Sequence, residues 1–480
     1  FFFFFSLTEH LHRVSGFRRV LPLATGILAG EVLDKMPEEK VFPAEANEDE
    51  CTSIYEEADQ EILETMSDEE DENTHPASTT NLTRICSEIE RINMKLSRKK
   101  ALLEFRCRVE DAILSKYIIG KENGKFSREN LEDITLWGVP LLPSKCHEGT
   151  DIVLMKFLKA KGFKVSEAFN MLRKTLKWRR EFNVDGILDE NLASHLKNMS
   201  HIDTSADKEG HPLCYHVHGA FQDKELYKKT FGTKEKRDEF LRWRVKSMEM
   251  CIQKLCFKPN GVHSIIQITD LKHIPGSAMK ELRLSSKKTL MLFQENYPEL
   301  FFRNIVINVP FWNFLLHMLQ SPFITQRTKS KFVFARPSKL TETLLKYIAP
   351  ENIPVQYGGL KREDDNEFSS DDRVIQLNVR GGTIGTIQIP ITEVGVTVVW
   401  DVTVVGNEVT YMEEFVPDDD CSYRVLIQKK KKMGESVRNS FYISEPGKIA
   451  ITIDNETYKK KRVYYRYKTK PTVPRYFILK

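Results

Sequence analysis

The stretch Asn296-Tyr297-Pro298-Glu299-Leu300-Phe301-Phe302-Arg303-Asn304-Ile305-Val306-Ile307-Asn308-Val309-Pro310, followed by Phe311-Trp312-Asn313-Phe314-Leu315-Leu316-His317-Met318-Leu319, decides the fold. Pro298 ends a helix, since it cannot continue one. Residues 304–309 form a β-branched strand, and Pro310 releases the chain into a second helix. Seven of the nine residues 311–319 are large and apolar, more than a single stripe requires. Such a helix meets apolar matter on both sides. It is either a central core helix, or one with a face on an apolar cavity and the other able to touch a bilayer. Thr328-Lys329-Ser330-Lys331 then leads into the next strand and sets hydroxyl and ammonium donors at its entrance. Donors of that kind suit a phosphate better than a neutral ligand.

Outward from this stretch, helices and strands alternate between about 150 and 360. Leu154, Phe157 and Leu158 share one helical stripe, and Phe169, Leu172 and Leu176 another. Longer helices are expected over 237–255 and 277–296, and strands over 213–217, 264–271, 304–309 and 331–335. Helical segments of a dozen or more residues between strands favour a largely parallel sheet, covered by helices. Upstream, Ile85, Ile89, Ile92 and Leu96, then Leu103, Val109 and Ile113, read as one or two amphipathic helices. Downstream, an acidic linker at 361–372 announces a different domain. Eight short strands follow, over 374–379, 384–389, 396–405, 409–416, 423–428, 440–443, 449–453 and 463–467. Broken by Gly, Pro, Asn and Asp turns, they predict an antiparallel β-sandwich.

A length of 480 residues suggests about three domains. The net charge of +4 is a cancellation. Residues 31–75 hold 18 Asp/Glu against Lys35 and Lys40, a net of −16, and residues 1–30 contribute +2, so the 405 residues from 76 onward carry +18. An acidic arm too charged to bury a core, read as disordered over 1–80, is tethered to a basic body that suits an anionic partner. The first residues are five Phe with no Met, then an apolar patch at 20–27. They read as a truncated start or the remnant of a targeting peptide, and no fold is built on them.

Catalytic patterns are missing: no GxxxxGK[ST], GxSxG or HExxH occurs. Gly381, Gly382 and Gly385 fall between strands and read as a hairpin turn rather than a dinucleotide fingerprint. His211, His216 and His218 cluster around one strand without a carboxylate or Cys at ligand spacing, so packing or surface exposure explains them. The eight cysteines show no CxxC or zinc spacing and fit a reducing compartment. The chain is therefore read as a binding protein, with no metal and no cofactor, rather than an enzyme. No apolar run reaches the roughly 18 residues of a spanning helix.

Several short motifs together resemble the CRAL-TRIO lipid-exchange family. They are Phe157-Leu158-Lys159-Ala160-Lys161-Gly162-Phe163, Gly210 and Pro212 before a strand, Asp270-Leu271, Tyr297-Pro298-Glu299, Ile307-Asn308-Val309-Pro310, Pro322-Phe323 and Ile353-Pro354-Val355-Gln356-Tyr357-Gly358-Gly359. The all-β tail resembles a GOLD domain, and the order acidic arm, CRAL-TRIO module, GOLD domain resembles the plant patellins. The resemblance implies a multidomain protein: an arm over 1–80, helices over 81–185, a lipid-binding α/β domain over 186–362 with a mixed, mainly parallel sheet, and an all-β GOLD sandwich over 373–470.

It further implies a pocket for one phospholipid as ligand. Lys161, Glu299, Thr328 and Lys331 would hold the head group, with Lys161 standing where the family has Arg. Phe311, Trp312, Phe314, Leu315, Met318 and Leu319 would form the apolar gate. Two basic runs in the sandwich, Lys429, Lys430, Lys431, Lys432 and Lys459, Lys460, Lys461, Arg462, are expected to dock on an anionic, phosphoinositide-bearing membrane. Protein partners are expected through the GOLD domain and the acidic arm. The basic runs lack the interleaved aromatics of a nucleic-acid reader. The implied function is phospholipid transfer or presentation by a cytoplasmic, peripherally membrane-associated protein, at the plasma membrane or the cell plate, in vesicle trafficking and cell division. Two other readings stand beside it: a sensor that presents lipid without net transfer, and a membrane-recruited adaptor.

Overall fold

The computed structural model describes residues 81–119, 121–122, 125–126, 133–273, 280–309, 330–406, 408–434 and 436–472, the side chains of 81–93, 121–122, 125–126, 197, 198 and 204 excepted. The acidic arm, the apolar helix at 311–319 and Thr328 lie outside them. Contacts divide the chain between Ala101 and Leu102. That point falls inside the first described helix, α1 (Asn81–Leu114), a single helix rather than two. From Leu102 on, its buried positions are Phe105, Val109, Ala112 and Ile113, while Leu103 is exposed. The stripe thus runs one position round the helix from the one that Leu103 would have headed.

The α/β module comprises α2 (Glu148–Ala160), α3 (Val165–Glu181), β1 (Ser200–Ala206), β2 (Pro212–Val217), α4 (Lys224–Phe231), α5 (Lys234–Ile252), β3 (Ile265–Asp270), α6 (Lys280–Asn296), β4 (Phe301–Ile307), β5 (Phe332–Phe334) and α7 (Leu340–Tyr347). The five strands lie in chain order, with β1 antiparallel to β2 and the remaining pairs parallel. The two faces of this sheet differ. Leu213, Tyr215, Ile266, Ile268, Ile305 and Ile307 turn one way and build a core with Leu344, Leu345 and Tyr357. The alternate positions, Cys214 and His216, Gln267 and Thr269, Asn304 and Val306, are brought side by side on the other face by the parallel register. Strict alternation leaves the sheet apolar on one side and largely polar on the other.

The eight predicted strands of the tail are all present: β6 (Ile375–Val379), β7 (Thr383–Ile391), β8 (Val396–Val404), β9 (Thr410–Pro417), β10 (Val425–Lys432), β11 (Val437–Tyr442), β12 (Gly447–Asn455) and β13 (Lys461–Pro471). They form two antiparallel sheets, ordered β6-β13-β8-β11 and β7-β12-β9-β10, closed over a core that includes Trp400, Phe415 and Ile451. Gly381 and Gly382 sit in the turn between β6 and β7, but these strands belong to different sheets, so the turn carries the chain from one sheet to the other and does not close the expected hairpin.

The residues at 361–372 do more than link. Asp365 meets Arg438 at 2.7 Å and Arg466 at 3.4 Å, and both arginines also meet the fully buried Asp401, at 2.6 and 3.0 Å. Arg466 also donates to the Leu360 carbonyl (2.9 Å), Thr403 to the Gly358 carbonyl (3.0 Å) and Ser436 to the Gly359 carbonyl (2.5 Å). Tyr464 of the sandwich enters the core of the α/β module's sheet. Burial alone would raise the Asp365 carboxyl, but hydrogen bonds from Arg438 and from the Glu367 and Phe368 amides hold it well below the usual carboxylate range.

Candidate functional site

Three of the sequence motifs meet at one buried carboxylate. Asp270, at the end of β3, accepts from Asn308 (2.7 Å) and the Lys272 amide (2.8 Å) with one oxygen, and from the Tyr357 hydroxyl (3.0 Å) with the other. Asn308 has φ 54, and its side chain holds that left-handed turn in place. These residues fasten the ends of β3 and β4 to the segment after α7. They set the sheet and leave ligand chemistry to others.

The Tyr-Pro-Glu motif divides its roles. The Tyr297 ring is buried edge-on to Trp178 and Phe293, and its hydroxyl donates to Glu249 at 2.6 Å. Glu249 also takes Arg179, at 2.7 Å. With Tyr297 anchored, Pro298 ends the helical path and Glu299 adopts φ 52, turning outward. Its carbonyl accepts from Lys156 Nζ (2.8 Å) and its carboxylate from Lys331 Nζ (2.7 Å). The i+4 neighbour Arg303 lies over the Phe302 and Tyr347 rings, its Nε buried with no hydrogen-bond partner.

These side chains surround a cavity of about 560 Å³, within the size range of small-ligand sites. One wall is a face of α2: Ile152, Met155, Lys156 and Lys159, spaced three, one and three apart. Phe301, Phe302 and Arg303 from β4 and Ser330 and Lys331 before β5 supply others. Lys156 is almost wholly buried, donating to the carbonyls of His263 and Glu299 at 2.8 Å each. Burial first, and then Lys159 and Lys331 against the opposing pull of Glu299, bring its pKa down to about 7. Lys159, Arg303 and Lys331, joined by Lys156 in its protonated form, thus face two carboxylates, and one of these, Asp151, is engaged by Arg106 at 2.5 Å. The balance favours an anion with several acceptor oxygens.

Of the head-group residues read from the sequence, Glu299 and Lys331 come together in this cavity. Lys161 does not line it: it caps α2, its amide donating to the Phe157 and Leu158 carbonyls. Lys159 lines the wall instead. Helical spacing carries that signal, since 159 continues the face of 152, 155 and 156 while 161 turns to the far side. Lys156 and Arg303 were missed, being embedded in apolar runs with no motif of their own.

The two basic runs converge on one end of the sandwich, where Thr410 of β9 pairs with both Lys432 and Asp454. The first run forms the end of β10, an edge strand. Lys429, Lys430, Lys431 and Lys432 are exposed, with Lys430 meeting Asp454 at 2.6 Å. Lys459 and Lys460 are exposed too, beside the protruding Tyr458. Lys461 departs from the expected docking role, because it is buried and paired with Glu408 at 3.1 Å. Arg462 is half-buried in β13. Among the described residues no helix is long and apolar enough to cross a membrane.

Comparison with known proteins agrees with this architecture. Residues 201–359 match the family model described as CRAL/TRIO domain, and residues 380–461 the one described as Patellin-1-like, C-terminal GOLD domain. Patellin-4 of Arabidopsis thaliana is 52% identical over 342 residues, 71% of this chain and 62% of its own length. This chain therefore spans less than two thirds of that relative. Patellin-3 of Arabidopsis thaliana is 44% identical over 382 residues, covering 78% of this chain and 75% of its own. The phosphatidylinositol transfer protein sfh5 of Sclerotinia sclerotiorum is 29% identical over 255 residues, 49% of this chain and 58% of its own. With a CRAL/TRIO module followed by a GOLD domain, and a relative matched at this identity over three quarters of its length, the chain belongs to the patellin family.

Proposed function

We propose that this protein binds a phospholipid in its CRAL/TRIO module, with an anionic head group, and transfers or presents it at membranes. The observation that carries the reading is the cation-rich cavity around Glu299: Lys156, Lys159, Arg303 and Lys331 can hold a phosphate while Glu299 accepts from ring hydroxyls. A relative named for phosphatidylinositol transfer supports the choice of an inositol phospholipid. The protein acts as a carrier, not an enzyme. Each acyl CH₂ exposed to water costs about 0.8 kcal/mol, so a carrier accelerates exchange by keeping the chains dry between membranes. Phe311, Trp312, Phe314, Leu315, Met318 and Leu319 are the proposed gate, and Thr328 a further phosphate donor.

Membrane contact is assigned to the basic end of the sandwich, with Lys429, Lys431, Lys432, Lys459 and Lys460 facing an anionic leaflet. Such a protein works peripherally from the cytosol, in vesicle trafficking including cell-plate formation. The test is transfer of labelled phosphatidylinositol between vesicles. Lys159→Ala/Lys331→Ala should abolish transfer with folding retained, and Lys161→Ala should leave it near wild type. Unchanged transfer by the double variant would sink the assignment.

A further inference from the structure

Helix α1 has two apolar faces of different character. Leu82, Ile85, Ile89, Ile92, Leu96 and Leu103 follow one another along it at alternating steps of three and four, with Lys99 in the single remaining place. That is the a/d pattern of a coiled coil. The buried positions of the same helix, Phe105, Val109 and Ala112, lie elsewhere. At about 100° per residue they point within about 40° of directly away from Leu96. Leu96 and Leu103 are 60% and 54% exposed, so the stripe they mark is not the one that the fold buries. Two exposed leucines in register with four further apolar residues suit a facing helix better than water.

The charges along this stripe select its partner. Glu88 and Lys95 occupy g positions beside the seam, and Asn93 and Lys100 occupy e positions. Two copies of α1 running in the same direction would stack Lys99 on Lys99 inside the seam and set Lys95 against Lys100. They would also bring together the two preceding stretches at 31–75, each of net charge −16. Running in opposite directions, the same two helices set Ile89 against Ile92 and Ile85 against Leu96. Lys99 then meets Leu82 at the end of the seam, where its ammonium can reach water. Glu88 faces Lys95 of the second copy, and two-fold symmetry makes that ion pair occur twice. The acidic stretches leave from opposite ends.

We propose that α1 joins two copies of this chain through an antiparallel two-stranded coiled coil over residues 82–99. The seam is short, about 27 Å at 1.5 Å per residue, so association is weak and depends on concentration. Sedimentation equilibrium of the full chain tests it. Wild type should pass from monomer to dimer as its concentration rises to about 200 µM. Leu96→Glu changes an exposed position and should melt with wild type, yet weaken association at least tenfold. Glu88→Lys and Lys95→Glu should each weaken the dimer several-fold, and the two changes together should restore it. Parallel helices would give another pattern, since Lys95→Glu would then relieve the clash with Lys100 and strengthen the dimer. The proposal is overturned if wild type stays monomeric throughout, in which case the stripe serves a different protein. It is overturned as well if Leu96→Glu associates as wild type does, or if the doubly reversed variant is no better than the single ones. Should the reversed variants lose their helix, Leu96→Glu decides alone, and undiminished association by it overturns the proposal. Sedimentation reads no lipid, so the outcome is independent of the head-group reading.

Discussion

Arg179 and Arg244 are almost equally buried, at 7% and 8% exposure, yet their surroundings differ in kind. Arg179 meets Glu249 at 2.7 Å and Asp185 at 2.7 Å, and although burial opposes its charge, Glu249, Tyr297 and Asp185 together raise its pKa. Arg244 has a neutral imidazole and two aromatic rings. Where a buried cation is answered within the fold, it is part of the scaffold. Where it is not, its charge rests on a neutral acceptor and aromatic faces alone. The largest expected effect follows from erasing that difference. Glu249→Gln leaves Arg179 facing a neutral amide and removes the charged acceptor of Tyr297, so the urea midpoint should fall by the equivalent of about 3–5 kcal/mol. Arg244→Met should leave the midpoint unchanged or raise it. Equal losses at the two sites would mean that Arg244 is scaffold after all.

The ionic network that joins the sandwich to the lipid module belongs with Arg179. Asp401 is fully buried and serves three arginines, Arg362, Arg438 and Arg466, and Asp365 answers the last two from the linker. Asp401→Asn keeps the shape and removes the charge, and should cost about 2 kcal/mol. Because the Asp365 carboxyl is held below its unfolded value of about 4, its contribution is present above that pH and is lost as pH falls through the folded value. The stability difference between wild type and Asp365→Asn should therefore shrink steadily as the medium is acidified below pH about 4. A difference that stays constant to pH 2 would show that the ion pairs contribute nothing.

How much of this was legible beforehand depended on whether the signal was local. The strands of the sandwich were readable because period-two alternation and turn residues are local features. The edge strand β1, Ser200-His201-Ile202-Asp203-Thr204-Ser205-Ala206, was missed because it is mostly polar, with only Ile202 and Thr204 β-branched. Glu299 and Lys331 could be carried over from a motif, whereas choosing Lys159 over Lys161 required following the α2 face through four residues. The acids at 361–372 look solvated in sequence, and their arginine partners lie as far as 101 residues away. Likewise nothing near Arg244 in the chain says that its neighbour is His216, on a strand folded against it.

Lys156 stands between the two kinds of cation, hydrogen-bonded to two carbonyls but with its charged form penalised by burial. Lys156→Met should cost about 1–2 kcal/mol at pH 7 through the lost bonds. Its folded pKa of about 7 lies under the unfolded value of about 10.4, so between these limits the unfolded chain binds more protons and stability rises with pH. Wild type should therefore gain on Lys156→Met from pH 7 to 10 in parallel melts. A flat difference would show that the ammonium is solvated and the cavity wetter than its walls imply.

The smallest effect on stability, and a large one on binding, is expected at the basic end of the sandwich. Its lysines are exposed, so replacing Lys429, Lys431, Lys432, Lys459 and Lys460 with Gln should leave the melting temperature within a degree or two of wild type. Binding to vesicles containing phosphatidylinositol 4-phosphate should nevertheless weaken several-fold for each lysine removed. It should weaken for wild type too as salt rises from 0.05 to 0.5 M, since the contacts are between solvated charges. Lys461→Gln provides the internal control: its ammonium is buried against Glu408, so it should lower stability while leaving membrane binding in place. If Lys461→Gln weakens vesicle binding as much as the exposed lysines do, the convergence of the two runs on one end of the sandwich is not what the membrane reads.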